Sequence, residues 1–338
     1  MKYTHVVIDH VGGPDVLHMQ EDDIPEPKMG EVRLEILATD VSFSTVLMQH
    51  GQYPGAPAVP FTPGYDLVGR VDTIGPAVSG IERGQLVAAL TVYGSYSQYI
   101  CLPLQELVSL PEGIDPAEAV CLVLSYVTAY QMLHRMAHVK PGERILVHGA
   151  AGGVGTALLQ LGTLAGAEMY GTASRSKHEL VTRLGARPID YKNEDFVKRL
   201  FTLTGDGVDV VFDPIGGTHL KESWKTLRKG GRLVAYGFSS VREQGGNPLL
   251  NIAWQSLRMM LWSLSPVGKK GMFYSITGLK KNHPEWFRQD LSTLFTLLLQ
   301  GKIKPVIAKR LPLTEVVFAH TLLEDREVEG KLVLLPHP

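Results

Sequence analysis

The stretch richest in chemistry is Ile145-Leu-Val-His-Gly-Ala-Ala-Gly-Gly-Val-Gly155. An apolar run, Ile145 to Val147, enters a turn of small residues. A helical pattern follows (Thr156, Ala157, Leu158, Leu159, Leu161). Strand, tight turn and helix open a dinucleotide-binding unit, because free N–H groups in a helix's first turn attract phosphate. Aligned on G-x-G-x-x-G, the three positions are Ala150, Gly152 and Gly155, so the match is to a variant. Gly152 is expected to let the backbone approach a pyrophosphate, and Gly155 to let the helix pack against its strand. The expected phosphate cradle is Ala151, Gly152, Gly153, Val154 and Gly155.

In such a unit the second strand ends about twenty residues on, where NAD users place an acid for the ribose 2′-hydroxyl. Here the residues are Ala173-Ser-Arg-Ser-Lys177, and no acid follows until Glu179, inside the next expected helix. Ser174 can donate to a 2′-phosphate, and Lys177 or Arg175 can supply the opposing charge. The plainer alternative is a solvated basic turn at a helix start. Metal chemistry finds little support. Two cysteines, Cys101 and Cys121, cannot build a four-cysteine lobe. His134 and His138 stand four apart, as helix-surface histidines often do by chance. The expected metal is none.

The elements that must hold these residues fall into two patterns. Up to about residue 120 the chain is short strands among Gly and Pro, with Val32, Leu34, Ile36 and Ala38 alternating as in a half-buried strand. That predicts a turn-rich, partly closed antiparallel barrel. Asp115 with Pro116 predicts a helix start. From 145 onward short apolar strands alternate with helices, which predicts a doubly wound parallel sheet and an overall α/β class. Strands are expected at Glu168–Ala173, Pro188–Tyr191, Val208–Asp213, Arg232–Tyr236 and Met272–Ile276, with Gly230-Gly231 a turn. Parallel sheets bind ligands beyond their C-terminal strand ends, which brings Asp213-Pro-Ile and Tyr236-Gly-Phe238 to the ribose and nicotinamide. Gly237 there would allow close backbone approach. The aromatic and Met-rich segment Asn251–Leu264 reads as core or subunit contact before it reads as a pocket.

At 338 residues the chain accommodates two domains. A net charge of -1 gives no basic surface for nucleic acid. The start lacks the apolar core of a signal peptide, and no apolar run is long and uninterrupted enough to span a bilayer. With two cysteines in apolar surroundings, this predicts a cytoplasmic protein without membrane partners.

Taken together, further motifs give a resemblance. They are Pro63-Gly-Tyr-Asp-Leu-Val-Gly69 with Ile74-Gly75, Tyr126-Val-Thr-Ala-Tyr130, Val139-Lys-Pro-Gly-Glu143 and the glycine turn from His148 to Gly155. They continue as Gly171-Thr-Ala-Ser174, Ile189-Asp-Tyr191, Asp213–Gly217, Gly230–Gly237 and Gly330-Lys-Leu-Val-Leu334. The sequence resembles the zinc-free quinone oxidoreductase branch of the medium-chain dehydrogenase/reductase superfamily, near its ζ-crystallin-like and vesicle amine transport protein 1-like members. The resemblance implies a GroES-like catalytic domain over 1–123, a Rossmann NADP-binding domain over 124–300, and a segment 301–338 returning to the first. It implies a cleft between domains, commonly a homodimer, and NADPH held in part by Ser174, Lys177 and Tyr191 rather than Arg175.

Thr128 matches a family threonine near the nicotinamide, and Tyr53 a family tyrosine at the cleft. Zinc members carry His-Glu where this chain has Tyr65-Asp66, and the segment for their first Cys reads Asp40-Val-Ser-Phe-Ser44. The family's frequent Asn-Phe and following Tyr are replaced by Ser42-Phe43 and Leu47. Ser42 and Tyr53 remain the hydroxyls for substrate contact or proton donation. The expected activity is NADPH-dependent, zinc-independent hydride transfer to a small quinone or α,β-unsaturated carbonyl. The altered residues keep open a dinucleotide-binding interaction protein with little turnover.

Overall fold

Alternating apolar residues do form a half-buried strand between 31 and 41, and the first of two units is built around it. The structure, a computed structural model, describes residues 1–237, 248–264 and 268–337. The chain divides into Met1–Val127 with Pro284–Pro338, and Thr128–His283.

The first unit opens with the antiparallel pair β1 (Lys2–Ile8) and β2 (Leu17–Asp23). Its main sheet begins with β3 (Glu31–Val41), β4 (Asp66–Ile74), β5 (Leu86–Leu90), β6 (Tyr99–Pro103) and β7 (Val108–Ser109). Val32, Leu34 and Ile36 of β3 pack with Leu67, Val71, Val87 and Ala89 in one apolar cluster. Each buried Val, Leu or Ile of this cluster contributes about 1.5–3 kcal/mol relative to exposure. Asp115 caps Pro116–Cys121 through the Ala117 N–H at 3.0 Å, as its sequence position predicts. The helical region then widens to π-type turns at Leu122–Tyr126 and Gln131–Met136, on either side of Val127–Tyr130. The boundary between units, at 127/128, falls inside this helical run. His138 has φ 48° and leaves the helix, so it does not share a helical face with His134.

The second unit is a parallel sheet in the order β10-β9-β8-β11-β12-β13. Its strands are β8 (Arg144–Val147), β9 (Glu168–Ala173), β10 (Ala186–Asp190), β11 (Val208–Asp213), β12 (Leu227–Ala235) and β13 (Lys270–Phe273). Gly230 and Gly231 are not the turn expected. They lie within β12, whose register against β11 shifts there, an irregularity that glycine admits without side-chain conflict. In the helix Pro248–Ser263, Met259 joins the core and Trp262 packs on Trp224, while Trp254, Met260 and Leu261 are exposed. Among the described residues no helix is long and apolar enough to cross a membrane.

The tail completes the first sheet with β14 (Ile307–Pro312) and β15 (Lys331–Leu335). β15 runs antiparallel to β3, giving the path β14-β15-β3-β4-β5-β7 with β6 also on β3. The helix Pro284–Leu299 groups with this unit, whereas the sequence division at 300 assigns it to the other. Its buried face (Phe287, Leu291, Leu294, Phe295) carries no mark of which core it will meet. Arg288 donates to the Gln105 carbonyl. A short turn, Leu313–Glu315, links β14 to the helix Val316–Glu324.

β15 is fastened by charge. Lys331 Nζ lies 2.6 Å from Asp40 Oδ2 and donates to the Val41 carbonyl at 3.1 Å. Asp66 Oδ1 accepts from the Asp40 N–H at 3.3 Å. Both carboxyls are fully buried. Burial raises both pKa values, and Asp66, facing the Asp40 carboxyl as well, is pushed far up. Lys331 is raised despite burial, because Asp40 and Asp66 face it. Thus Asp40 and Lys331 form the ion pair, and Asp66 is the carboxyl driven further towards its neutral form. Lys331→Met, which strands the Asp40 charge, should therefore cost about 3–5 kcal/mol. Asp66→Asn, which replaces one neutral group by another, should cost about 1 kcal/mol. Urea midpoints measure both, and equal losses would refute this division of the proton.

Candidate functional site

The glycine turn is shaped by what its neighbours exclude. His148 N donates to the Phe212 carbonyl at 3.1 Å, and Ala150 N to the Thr172 carbonyl at 3.0 Å, so the turn is pinned to strands on both sides. The helix Gly153–Leu164 then starts from Gly152 with no side-chain cap. A Cβ on Gly155 would stand 2.2 Å from the Gly149 carbonyl oxygen, so helix and turn can approach only if it is absent. Ala150, at the first glycine position of the motif, has a counterpart across the sheet. A Cβ on Gly171 would lie 2.6 Å from the Ala150 methyl, so the missing glycine is compensated on β9.

A Cβ on Gly152 would meet only the Gly149 oxygen, at 3.4 Å. Internal packing therefore does not demand glycine there, and the open space lies beside the first helical turn. Gly152, Gly153 and Val154 are half-buried, Ala151 and Gly155 buried. First-turn N–H groups have no intrahelical acceptor and carry the positive end of the helix dipole. This donor set, with a bare backbone edge, fits an anionic pyrophosphate.

The adjoining strand ends carry the other expected contacts. Ala173 pairs with Asp190, so Ser174 and Tyr191 follow directly from paired residues of β9 and β10. Ser174 opens the short turn Arg175–Lys177 and lies 3.3 Å from Ser176 by their hydroxyls. Lys177 is half-buried and Tyr191 exposed. Asp190 is the acid at this sheet end, but its carboxylate is taken by the Lys192 N–H (3.1 Å) and Asn193 Nδ2 (2.9 Å). Glu179 is exposed in the helix His178–Arg183. Thr128 is buried, between the two widened helical turns. Gly237 follows β12, and a Cβ on it would stand 2.5 Å from the Pro214 carbonyl oxygen. Phe238 lies outside the described residues.

In the first unit, Tyr53 and Tyr65 form a phenol pair, with oxygens 2.7 Å apart and rings edge to face. Tyr65 is buried, and its carbonyl accepts from the Thr91 and Val92 N–H groups. Burial raises the Tyr53 pKa, against the hydrogen bond to Tyr65. Ser42 has a different setting. It caps the helix Phe43–Gln49 by accepting from Thr45 N at 3.3 Å, and is itself buried. Leu47 is buried in that helix.

Sequence reasoning gave no role to Tyr65, His148, His219, Ser223 or Lys331. A lysine opening the apolar strand Lys-Leu-Val-Leu-Leu335 was a readable signal for a buried ion pair, but the hydroxyl and imidazole partners meet only through the fold.

The parallel sheet, the glycine turn and the GroES-like strand order define a dinucleotide-binding dehydrogenase architecture. Two family models match: the alcohol dehydrogenase GroES-like domain over residues 28–112 and a zinc-binding dehydrogenase domain over 184–334. The synaptic vesicle membrane protein VAT-1 homolog of Rattus norvegicus is 31% identical, with 98% of this chain and 84% of that protein aligned. The quinone oxidoreductase of Rattus norvegicus is also 31% identical, over 96% of this chain and 95% of that protein. The structure of Escherichia coli quinone oxidoreductase complexed with NADPH superimposes with a TM-score of 0.87 at 29% identity, covering 98% of this chain and 100% of that one. The human VAT-1 homolog-like protein gives 0.86 at 29%, covering 100% and 99%. The chain belongs to the medium-chain dehydrogenase/reductase superfamily, in its quinone oxidoreductase branch.

Two buried imidazoles make stability acid-sensitive. His148, at the start of the glycine turn, is held neutral by burial and by His219, its pKa pushed down to about 3. His320, between Tyr96 (3.2 Å) and Gln49 (2.5 Å), is likewise lowered by burial to about 3. Below an ordinary pKa of 6.5 the unfolded chain takes up both protons and the folded chain neither, so stability falls as pH drops from 6.5 towards 3. At about pH 5 each imidazole should cost about 2 kcal/mol. Urea denaturation at about pH 7.5 and about pH 5 should show a lower midpoint in acid, and an unchanged midpoint would contradict this.

Proposed function

We propose that the protein is an NADPH-dependent oxidoreductase that reduces small quinones or α,β-unsaturated carbonyls without a metal. The observation that carries this reading is the capless helix start at Gly152, beside the paired ends of β9 and β10, where no acid follows Ala173 before Glu179 and Asp190 of β10 is spent on its own turn. In this reading the N–H groups from Ala151 to Gly155 hold the pyrophosphate. Ser174, Lys177 and Tyr191 hold the 2′-phosphate, and Thr128 and Gly237 border the nicotinamide. The bound cofactor supplies a hydride. Tyr53 donates a proton to the substrate oxygen, and the Tyr65 hydroxyl stabilises the phenolate left behind. Quinones need this less, since their reduced oxygen can take its proton from water. Zinc independence is supported by the residues at the usual ligand positions: Ser42 caps a helix and Tyr65 bonds a phenol. We further propose a cytoplasmic homodimer.

A second reading, a dinucleotide-binding interaction protein with little turnover, is favoured by the capping role of Ser42, where relatives often carry Asn. One assay separates the two: oxidation of NADPH and NADH against a panel of quinones and enones, with and without chelator. Turnover that prefers NADPH and ignores the chelator is expected. Tight NADPH binding without turnover on any acceptor would select the second reading. Tyr53→Phe should lower enone turnover by about 10²-fold or more and quinone turnover far less. Lys177→Ala should raise the KM for NADPH about tenfold with little change for NADH, and equal effects on both would remove Lys177 from the site.

A further inference from the structure

Three parallel strand ends of the second unit are tied together by a buried hydrogen-bond node that the proposed chemistry does not use. At its centre is Ser223, fully buried on the helix His219–Lys225. Its hydroxyl donates to Asp213 Oδ2 at 2.6 Å and lies 3.2 Å from His148 Nε2. With its only proton given to Asp213, the hydroxyl can only accept from His148, so His148 carries its proton on Nε2. His148 Nδ1 then accepts from Thr172 Oγ1 at 3.0 Å.

Asp213 gathers the remaining donors. His219 Nδ1 donates to Oδ2 at 2.8 Å, and the Ile215 and Gly216 N–H groups donate to Oδ1 at 2.7 and 3.1 Å. Burial alone would raise this carboxyl, but His219, His148 and Ser223 hold it down at about 2. The result is a buried anion in which both oxygens are doubly bonded to donors.

Each arm leads to a part of the cofactor cradle. His148 directly precedes the phosphate turn. The Thr172 carbonyl holds Ala150 N, and Ser174 follows two residues later. Asp213 fixes the turn Pro214–Gly216, against which Gly237 packs. His148, Asp213 and His219 also present ligand-type atoms within 4.8 Å of one another. A metal there would have to displace the 2.6 and 2.8 Å hydrogen bonds to Asp213, so the geometry favours a hydrogen-bonded node.

We propose that Ser223, with His219, His148 and Asp213, is a positioning node that sets affinity for the dinucleotide by fixing three cradle segments relative to one another. The proposal rests on the NADPH reading given above. Its test is fluorescence titration of NADPH alongside thermal unfolding of the full chain. Ser223→Ala and His219→Ala should each weaken NADPH binding about tenfold or more. His219→Asn, which keeps a donor near the Nδ1 position, should restore most of it. Thr204→Ala is the control. That buried hydroxyl donates to the Leu200 carbonyl and accepts from Gly207 N, just before β11 begins. Its loss should lower the unfolding temperature while leaving NADPH affinity unchanged.

Equal weakening by Thr204→Ala would reduce the node to general stability and overturn the proposal. So would unchanged affinity in Ser223→Ala and His219→Ala while the wild type binds, or stoichiometric metal in the purified protein that His148→Ala removes. Failure of the wild type itself to bind NADPH would overturn the cofactor reading, and the node's role with it.

Discussion

The close passage of Gly155 over the Gly149 carbonyl is the constraint on which the second unit depends. A single methyl there would meet a backbone oxygen, a group with no rotamer to retreat into. Relief would require the helix Gly153–Leu164 to lift from the sheet. The first-turn N–H groups would move with it, and so would the apolar face formed by Ala157, Leu158 and Leu161. The same contact thus sets both the packing of the helix and the position of its first-turn donors. Its counterpart at Gly171 and Ala150 shows how such a constraint tolerates variation. The motif's first glycine is lost, and the strand opposite makes room.

Buried acids are handled in opposite ways in the two units. Asp213 remains an anion because four donors surround it. Asp66 shares its setting with Asp40 and a single ammonium, so one charge is paired and the other avoided. The difference follows from the number of donors within reach, since an interior can hold a charge only where hydrogen bonds replace the lost water. A fixed anion suits a strand end that must keep one shape, and a proton-bearing acid beside an ion pair suits a seam between distant segments of chain.

Much of this was legible in the sequence. Alternation at Val32–Ala38 marked β3, and apolar runs marked β8 and β11, because strand periodicity is a local property. The glycine turn was legible because its geometry restricts residue type. Local reasoning failed where partners are distant in sequence. The helix Pro284–Leu299 has one apolar face that would suit either core, so its unit could not be read from it. The strand character of Gly230-Gly231 depends on a ladder with β11 that residue preference opposes. Tyr65 was visible only as a missing zinc ligand, and its bond to Tyr53 arises from tertiary structure. Ser42 shows the converse: a residue type fit for catalysis turned out to be occupied in starting a helix.

The pairing of β15 with β3 also imposes an order on biosynthesis. Residues 128–283 form one contiguous unit, which can fold as soon as it has left the ribosome. The first unit cannot close so early. Its central strand is made before that unit, but the neighbour on one side, together with the lysine that neutralises Asp40, arrives some 290 residues later. Until then Asp40 and an open sheet edge wait without their partner. The nascent chain therefore carries its longest-lived exposed β edge in the domain begun first, and a chaperone that shields strand edges would be needed most in that interval.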